Sequence, residues 1–223
     1  MRQLLLDLLP DNPPSLCNFV AGHANGETLA AFRAWLEASA ETAFHLYGME
    51  GSGCSHLLRA SGWIYHDART DSDLQALGAL GTASQPLCAA IDHVEALSFA
   101  GQIALFNYFN LCKQRGGKLL TAARQPPAAL DLREDLRTRL GSGLIYRLHP
   151  LSDSEKMTAL SAQAEARALK LPTEALTYLM QHAPRDMRAL SSLIVALDRY
   201  TLEHQRSVTL PLLRDLLLQE KCA

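Results

Sequence analysis

No run of apolar residues in this 223-residue chain approaches the length of a membrane span. The greasiest stretch opens the chain, Met1-Arg2-Gln3-Leu4-Leu5-Leu6-Asp7-Leu8-Leu9-Pro10, and Asp7 and Pro10 interrupt it before a signal-peptide core could form. Charge of one sign is lacking as well. Lys and Arg number 21 against 23 Asp and Glu, so no bulk positive field holds the protein on nucleic acid by itself. The five cysteines (Cys17, Cys54, Cys88, Cys112, Cys222) are odd in number and never fall in a C-x-x-C. Neither a disulfide framework nor a zinc site reads from that spacing, and a reducing, cytoplasmic setting is expected. The eight histidines show no H-x-x-x-H, so no metal site of that kind is expected. What remains is the balance of a soluble globular protein, 48% hydrophobic and 20% charged, long enough for one or two domains with a real core.

Organisation follows from the hydrophobic pattern. After the turn-rich Asp11-Asn12-Pro13-Pro14-Ser15, a helix is expected over Glu27–Ala38, with Leu29, Phe32, Trp35 and Leu36 on one face and Asn25 as its cap. Short apolar, strand-like runs follow at Ala43–Tyr47, Trp63–His66, Leu87–Ile91, Lys118–Thr121 and Leu144–Leu148. Helical patterns lie between them at Ser55–Ala60, Ser72–Leu80, Gln102–Gln114 and Arg133–Leu140. Strands alternating with helices predict an α/β fold with a parallel sheet covered on both faces. Beyond Pro150 only helices are signalled. Ser152 and Glu155 form a capping box opening a helix to about Lys170, and Pro172, Pro184 and Pro211 mark three more starts. The expectation is an α/β core over 13–150 and a small all-helical domain over 151–223, preceded by a tail at 1–12.

Two half-motifs carry chemistry. The first apolar strand runs into Gly48-Met49-Glu50-Gly51-Ser52-Gly53-Cys54-Ser55, a G-x-x-x-x-G-K-S phosphate loop with Cys54 where the lysine belongs. Gly48, Gly51 and Gly53 let backbone N–H groups turn toward phosphates, and Ser55 stands where a hydroxyl ligates Mg²⁺. By itself the stretch is equally compatible with a glycine-rich turn that holds no ligand. The second half-motif, Leu87-Cys88-Ala89-Ala90-Ile91-Asp92, is an apolar strand ending in an acid placed to hold Mg²⁺ through water, though the next position, usually a second acid, is His93.

In order and context these segments resemble the AAA+ ATPases of the DnaA group, over essentially the whole chain. Asn18-Phe19-Val20-Ala21-Gly22-His23-Ala24-Asn25 matches the N-F-V-x-G-x-x-N box; the resemblance implies that Phe19, Val20 and Asn25 line the adenine side of the pocket. Lys118–Arg124 lies at the sensor 1 strand. Leu136-Arg137-Thr138-Arg139-Leu140-Gly141-Ser142-Gly143-Leu144 matches the box that carries the arginine finger, which puts that role on Arg139. Arg188, in Asp186-Met187-Arg188-Ala189-Leu190, takes the sensor 2 place in a helical lid. Without the resemblance, Arg139 reads as part of a solvated helix face and Arg188 as a surface ion pair. A five-stranded sheet in the order 5-1-4-3-2 is implied. DnaA itself carries a DNA-binding domain after the lid, and this chain, ending at Ala223, is expected to lack one. Its start instead fits the sliding-clamp motif Q-L-x-L-x-L of the short DnaA-homologous regulators, with Gln3, Leu4, Leu6 and Leu8 entering an apolar groove.

The departures from the family pattern point one way. Cys54 replaces the lysine, His93 the second acid, and the sensor 1 aspartate falls on Ala123. Each removes charge from hydrolysis in cis, whereas Arg139, which serves a neighbour's nucleotide, is retained. The resemblance thus implies a negative regulator of replication initiation that docks on the DNA-loaded β sliding clamp and stimulates hydrolysis of DnaA-bound ATP. Its implied partners are DnaA and the clamp, with DNA reached only through the clamp, no membrane, and self-assembly as a further form. ADP, with Mg²⁺ on Ser55 and Asp92, is the implied ligand. The rival readings are an active ATPase of helicase-loader type and a pseudo-ATPase clamp adaptor for another client.

Overall fold

The computed structural model describes residues 13–75, 77, 87–183, 186–204, 208, 209, 211 and 213. The chain divides into two compact units, the first spanning residues 14–150 and the second running from residue 151 onward.

In the first unit, α1 (Gly26–Ala38) buries Thr28, Leu29, Phe32 and Trp35, one helical stripe of bulky side chains. It leads into β1 (Ala43–Gly48). The phosphate loop follows, then α2 (Cys54–Ala60) and the short β2 (Ile64–Asp67). Next come β3 (Cys88–Asp92), α3 (Phe99–Arg115) and β4 (Lys118–Ala123), then α4 (Glu134–Gly141) and β5 (Leu144–Leu148). The five strands are all parallel in the order β2-β3-β4-β1-β5, the order the resemblance implies.

The alternation of side chains sorts two cores onto the sheet's two faces. Phe44, Leu46, Ala90, Leu120 and Ala122 pack with α1 and α2 residues such as Phe32, Trp35, Leu57 and Leu58. Ala43, Ala89, Ile91, Leu119 and Ala123 pack with Leu105, Phe109, Leu136 and Leu140 from α3 and α4. Register pairs Tyr47 with Ala123 and Asp67 with Asp92, so the carboxyl ends of β1, β2, β3 and β4 share one rim. In open parallel sheets that rim is where ligands bind.

Expected element boundaries shift where a capping group decides them. Helix α3 begins at Phe99 rather than Gln102, because the Ser98 hydroxyl accepts from the Gly101 N–H and caps the helix three residues earlier. Asn25 precedes α1, yet its side chain makes no cap hydrogen bond there; it is drawn instead to the main chain of His149. Helix α2 fills seven residues, close to two turns. Residues 71–75 form turns rather than a helix start, and most of the segment from 76 to 86 lies outside the described residues.

The second unit holds α5 (Asp153–Ala166), α6 (Thr173–His182) and α7 (Met187–His204) around Leu160, Ala164, Leu176, Leu179, Leu190, Ile194 and Leu197. The expected capping box is present: the Glu155 N–H donates to the Ser152 hydroxyl, and the Ser152 N–H donates to the Glu155 carboxylate. Helix α5 stops at Ala166, short of Lys170, since Ala168 turns to a positive φ of 54° and returns Leu169 to the helical core. Most of the segment expected to form a further helix from Pro211 lies outside the described residues.

Candidate functional site

Strand β1 ends at Gly48, where no larger residue fits: an added Cβ would lie 2.4 Å from the Leu148 carbonyl oxygen of β5. The loop then turns through Gly51 and Gly53, at φ +79° and +99°. A Cβ at Gly53 would lie 2.7 Å from Cε2 of Phe19, so the Phe19 ring rests directly on the loop. The approach of the N-terminal segment is fixed by a bond between the His56 ring nitrogen Nε2 and the Ser15 carbonyl (3.0 Å), with the Phe19 and His56 rings 5.4 Å apart. Phe19 thereby lies against the loop at Gly53, while Val20 is half-buried beside it in sequence. Asn25 pairs with the main chain just past β5: its amide donates to the His149 carbonyl and accepts from the His149 N–H, both at 2.8 Å.

Cys54 begins α2 with its Sγ 3.5 Å from the Ser52 hydroxyl. Burial, opposed by the Ser52 hydrogen bond and reinforced by the charges of Asp92 and Glu95, pushes its thiol up to about 12. It is therefore a neutral thiol despite its place at a helix N-terminus. A lysine here would bring a cation to the phosphates; the thiol brings none. Ser55 follows it in the first turn of α2 and is half-buried.

Asp92 ends β3 and is 2% exposed. Its Oδ2 accepts from the Tyr65 hydroxyl at 2.8 Å and its Oδ1 from the His93 N–H at 2.9 Å. Arg59, from the last turn of α2, stacks over the Tyr65 ring with its guanidinium carbon 3.8 Å from the centroid. The Tyr65 phenol is pushed well above its ordinary range, by burial first and then by the Asp92 charge. His93 stands in a left-handed conformation (φ 54°, ψ 47°), with Nε2 3.8 Å from Asp92 Oδ2 and Nδ1 3.7 Å from Glu95 Oε1. Glu95 also lies 3.9 Å from Arg124 Nε, so it belongs to this rim. The loop, with Gly51 and Gly53 at positive φ, would offer a nucleotide's phosphates main-chain groups and no cationic side chain. The residues fit Mg²⁺ poorly: the acid meant for its water shell already satisfies two protein donors, and among the described residues no group of three His, Cys, Asp or Glu is placed to hold a metal ion. Sequence reasoning missed Tyr65 and Arg59, because neither belongs to a motif and Tyr65 reaches Asp92 across neighbouring strands.

Behind the rim lies a buried polar pair. His45 on β1 and Thr121 on β4 are fully buried and joined at 2.8 Å through Nδ1 and Oγ1, as the register of the two strands dictates. Ala123, at the sensor 1 aspartate position, is a buried small residue ending β4.

Arg139 sits in the last turn of α4. Its guanidinium carbon lies 5.9 Å from the Phe106 ring centroid and 5.8 Å from that of Phe109, and among the described residues it makes no ion pair. Its neighbour Arg133, by contrast, is neutralised by Asp135 at 2.7 Å. Arg188 is exposed in the first turn of α7. Gln3, Leu4, Leu6 and Leu8 lie outside the described residues.

Residues 153–217 match the family described as the lid domain of Hda. The fold is that of AAA+ proteins. Domain III of the replication initiation protein DnaA from Thermotoga maritima is 21% identical, covers 93% of this chain and 95% of its own, and superposes with a TM-score of 0.70. AMPPCP-bound DnaA from Aquifex aeolicus is 20% identical over 85% of this chain and 66% of that one, with a TM-score of 0.66. The Thermotoga maritima Holliday junction branch migration motor RuvB is 15% identical over 94% and 72%, at 0.62.

Proposed function

We propose that this chain, Hda-like in its lid and sharing the fold of DnaA domain III, is a negative regulator of replication initiation that acts on DnaA-bound ATP. One contrast supports the reading. The pocket's own catalytic charges are absent or engaged, with a neutral Cys54 at the lysine position and Asp92 bound by Tyr65, while Arg139 keeps a guanidinium with no acidic partner among the described residues. An unpaired arginine held on aromatic rings can stabilise charge developing on a neighbour's γ-phosphate, an effect worth about a thousandfold or more. The same contrast argues against an ATPase of helicase-loader type, which needs those charges for its own nucleotide.

In this reading Gln3, Leu4, Leu6 and Leu8 dock on the β sliding clamp loaded on DNA, which raises the local concentration near DnaA. Arg139 then enters the ATP site of DnaA and leaves ADP–DnaA. The chain's own loop, with Phe19 over Gly53, holds ADP as a conformational ligand. The test is hydrolysis of radiolabelled ATP pre-bound to DnaA, with this protein added alone and then with clamp loaded on DNA. Clamp-dependent acceleration supports the regulator. Absence of acceleration with clamp binding intact overturns it in favour of an adaptor for another client.

A further inference from the structure

We propose that Tyr65, braced by Arg59, competes with a hydrated divalent cation for Asp92, so that this pocket takes a nucleoside diphosphate with little help from magnesium. The inference rests on the reading that the loop holds a nucleotide, and it concerns what that nucleotide brings with it. The phenol of Tyr65 donates to Asp92 Oδ2 at 2.8 Å, and the His93 N–H donates to Oδ1 at 2.9 Å. The carboxylate is almost sealed from solvent, at 2% exposure. Mg²⁺ keeps several waters in strict octahedral geometry, and a carboxylate that serves it must offer those waters free lone pairs with room around them. Here each oxygen already has a protein donor, and His93 Nε2 stands 3.8 Å from the same Oδ2 that Tyr65 holds. A second carboxylate at residue 93 would draw the cation in; an imidazole does not.

Tyr65 is not free to step aside. Its strand β2 is hydrogen-bonded to β3 in the register Tyr65 to Ala90, which sets the ring beside the end of β3. Its ring is covered by the guanidinium of Arg59 at 3.8 Å, and Arg59 belongs to α2, the helix that the phosphate loop opens. The loop helix, the edge strand and the acid are thereby tied in one chain of contacts, Arg59 to Tyr65 to Asp92, whose positive end lies on α2. A cation arriving with a nucleotide has to share Oδ2 with the Tyr65 hydroxyl, on a carboxylate with almost no exposed surface left for its water shell. The same chain removes from this pocket the metal that hydrolysis of its own nucleotide would need.

The test uses the full chain and ADP as the probe. The dissociation constant of ADP is measured by titration calorimetry in excess MgCl₂ and again in excess EDTA, for the wild type and for Tyr65→Phe, with circular dichroism confirming that the variant is folded. Wild type is expected to bind ADP almost equally in the two conditions. Tyr65→Phe, which keeps the ring under Arg59 and removes only the hydroxyl, is expected to bind about fivefold more tightly with magnesium than with EDTA, the factor of one net hydrogen bond. Adding Asp92→Asn to Tyr65→Phe should abolish that gain. Equal magnesium dependence in wild type and Tyr65→Phe overturns the proposal and leaves the nucleotide reading standing. Failure of both proteins to bind ADP in either condition overturns the nucleotide reading, and this proposal with it.

Discussion

The side-chain amide of Asn25 pairs with the main chain of His149 as one strand pairs with another, giving its N–H to the carbonyl and taking the backbone N–H, both at 2.8 Å. The two residues are 124 positions apart. The pairing fastens the start of α1 to the chain just past β5, and Thr28, one turn on, adds a hydroxyl bond to the Arg147 carbonyl at 3.0 Å. Asn25 thus fixes the entry of α1, which follows the segment that lays Phe19 on the loop.

Asn25→Ala removes both bonds and leaves the His149 N–H and carbonyl without their partner. The expected loss is about 2 kcal/mol of unfolding free energy, the cost of stranding partly buried polar groups. Urea unfolding of the full chain measures it. A loss within a few tenths of a kcal/mol would mean that solvent replaces the amide.

The same pair shows where sequence reading stops. The five strands were legible because buried parallel strands read as short apolar runs, and Asp92 was legible because its run follows the glycine-rich loop in the order a phosphate-binding site needs. The role of Asn25 was not, because its neighbours suggest a helix cap and the partner that outcompetes the cap lies at the other end of the core. Tyr65 was invisible for the same reason. Its bond to Asp92 arises from the side-by-side placement of β2 and β3, and no spacing along the chain encodes that. Lys118 reads as an ordinary charged residue at a strand start, yet its ammonium caps the carbonyls of Trp35 and Leu36 at the end of α1.

His45 makes the core acid-sensitive. Burial holds its imidazole down to about 4 from an ordinary 6.5, against a weaker upward pull from the Gln125 carbonyl. Between those two values the unfolded chain binds the proton and the native chain does not, so stability is intact above the ordinary value and falls as pH drops through the window. Fully developed, the loss is about 3 kcal/mol. His45→Gln, read by urea midpoints between neutral pH and about pH 5, should flatten that part of the profile. An unchanged slope would place the acid sensitivity on other groups.

Cys54 is expected to resist alkylation. With its thiol pushed up to about 12 by burial, the thiolate is scarce at mildly alkaline pH, whereas Cys17 is exposed. Iodoacetamide labelling followed by peptide mass spectrometry should find Cys17 modified well before Cys54. Saturating ADP should slow Cys54 further if the loop closes on phosphate.

Gly53→Ala tests the contact between the loop and Phe19. The backbone stands at φ +99°, which an alanine adopts only under strain, and its Cβ would meet the Phe19 ring at 2.7 Å. Loss of about 1–3 kcal/mol of stability is expected, with ADP affinity lowered because the ring is displaced. Phe19→Leu in the same background should recover part of the stability by making room. No recovery would assign the whole cost to the backbone.

Arg139 separates the action on a partner from everything the chain does for itself. Its guanidinium rests near Phe106 and Phe109 with no carboxylate holding it among the described residues, so Arg139→Ala gives up only about 0.5–1 kcal/mol of stacking and should fold and unfold almost as the wild type does. Stimulation of hydrolysis of DnaA-bound ATP should fall by about a thousandfold, while retention on clamp loaded on DNA stays unchanged. Arg139→Lys keeps the charge but loses the planar fork that spans two phosphate oxygens, so it should restore little of the rate. If lysine restores full activity, the residue supplies bulk charge rather than a fitted contact. If alanine leaves the rate untouched, the arginine is an ordinary member of a solvated helix face, and the search for the acting group moves to Arg137, one helical turn after Arg133 and already part of the same motif.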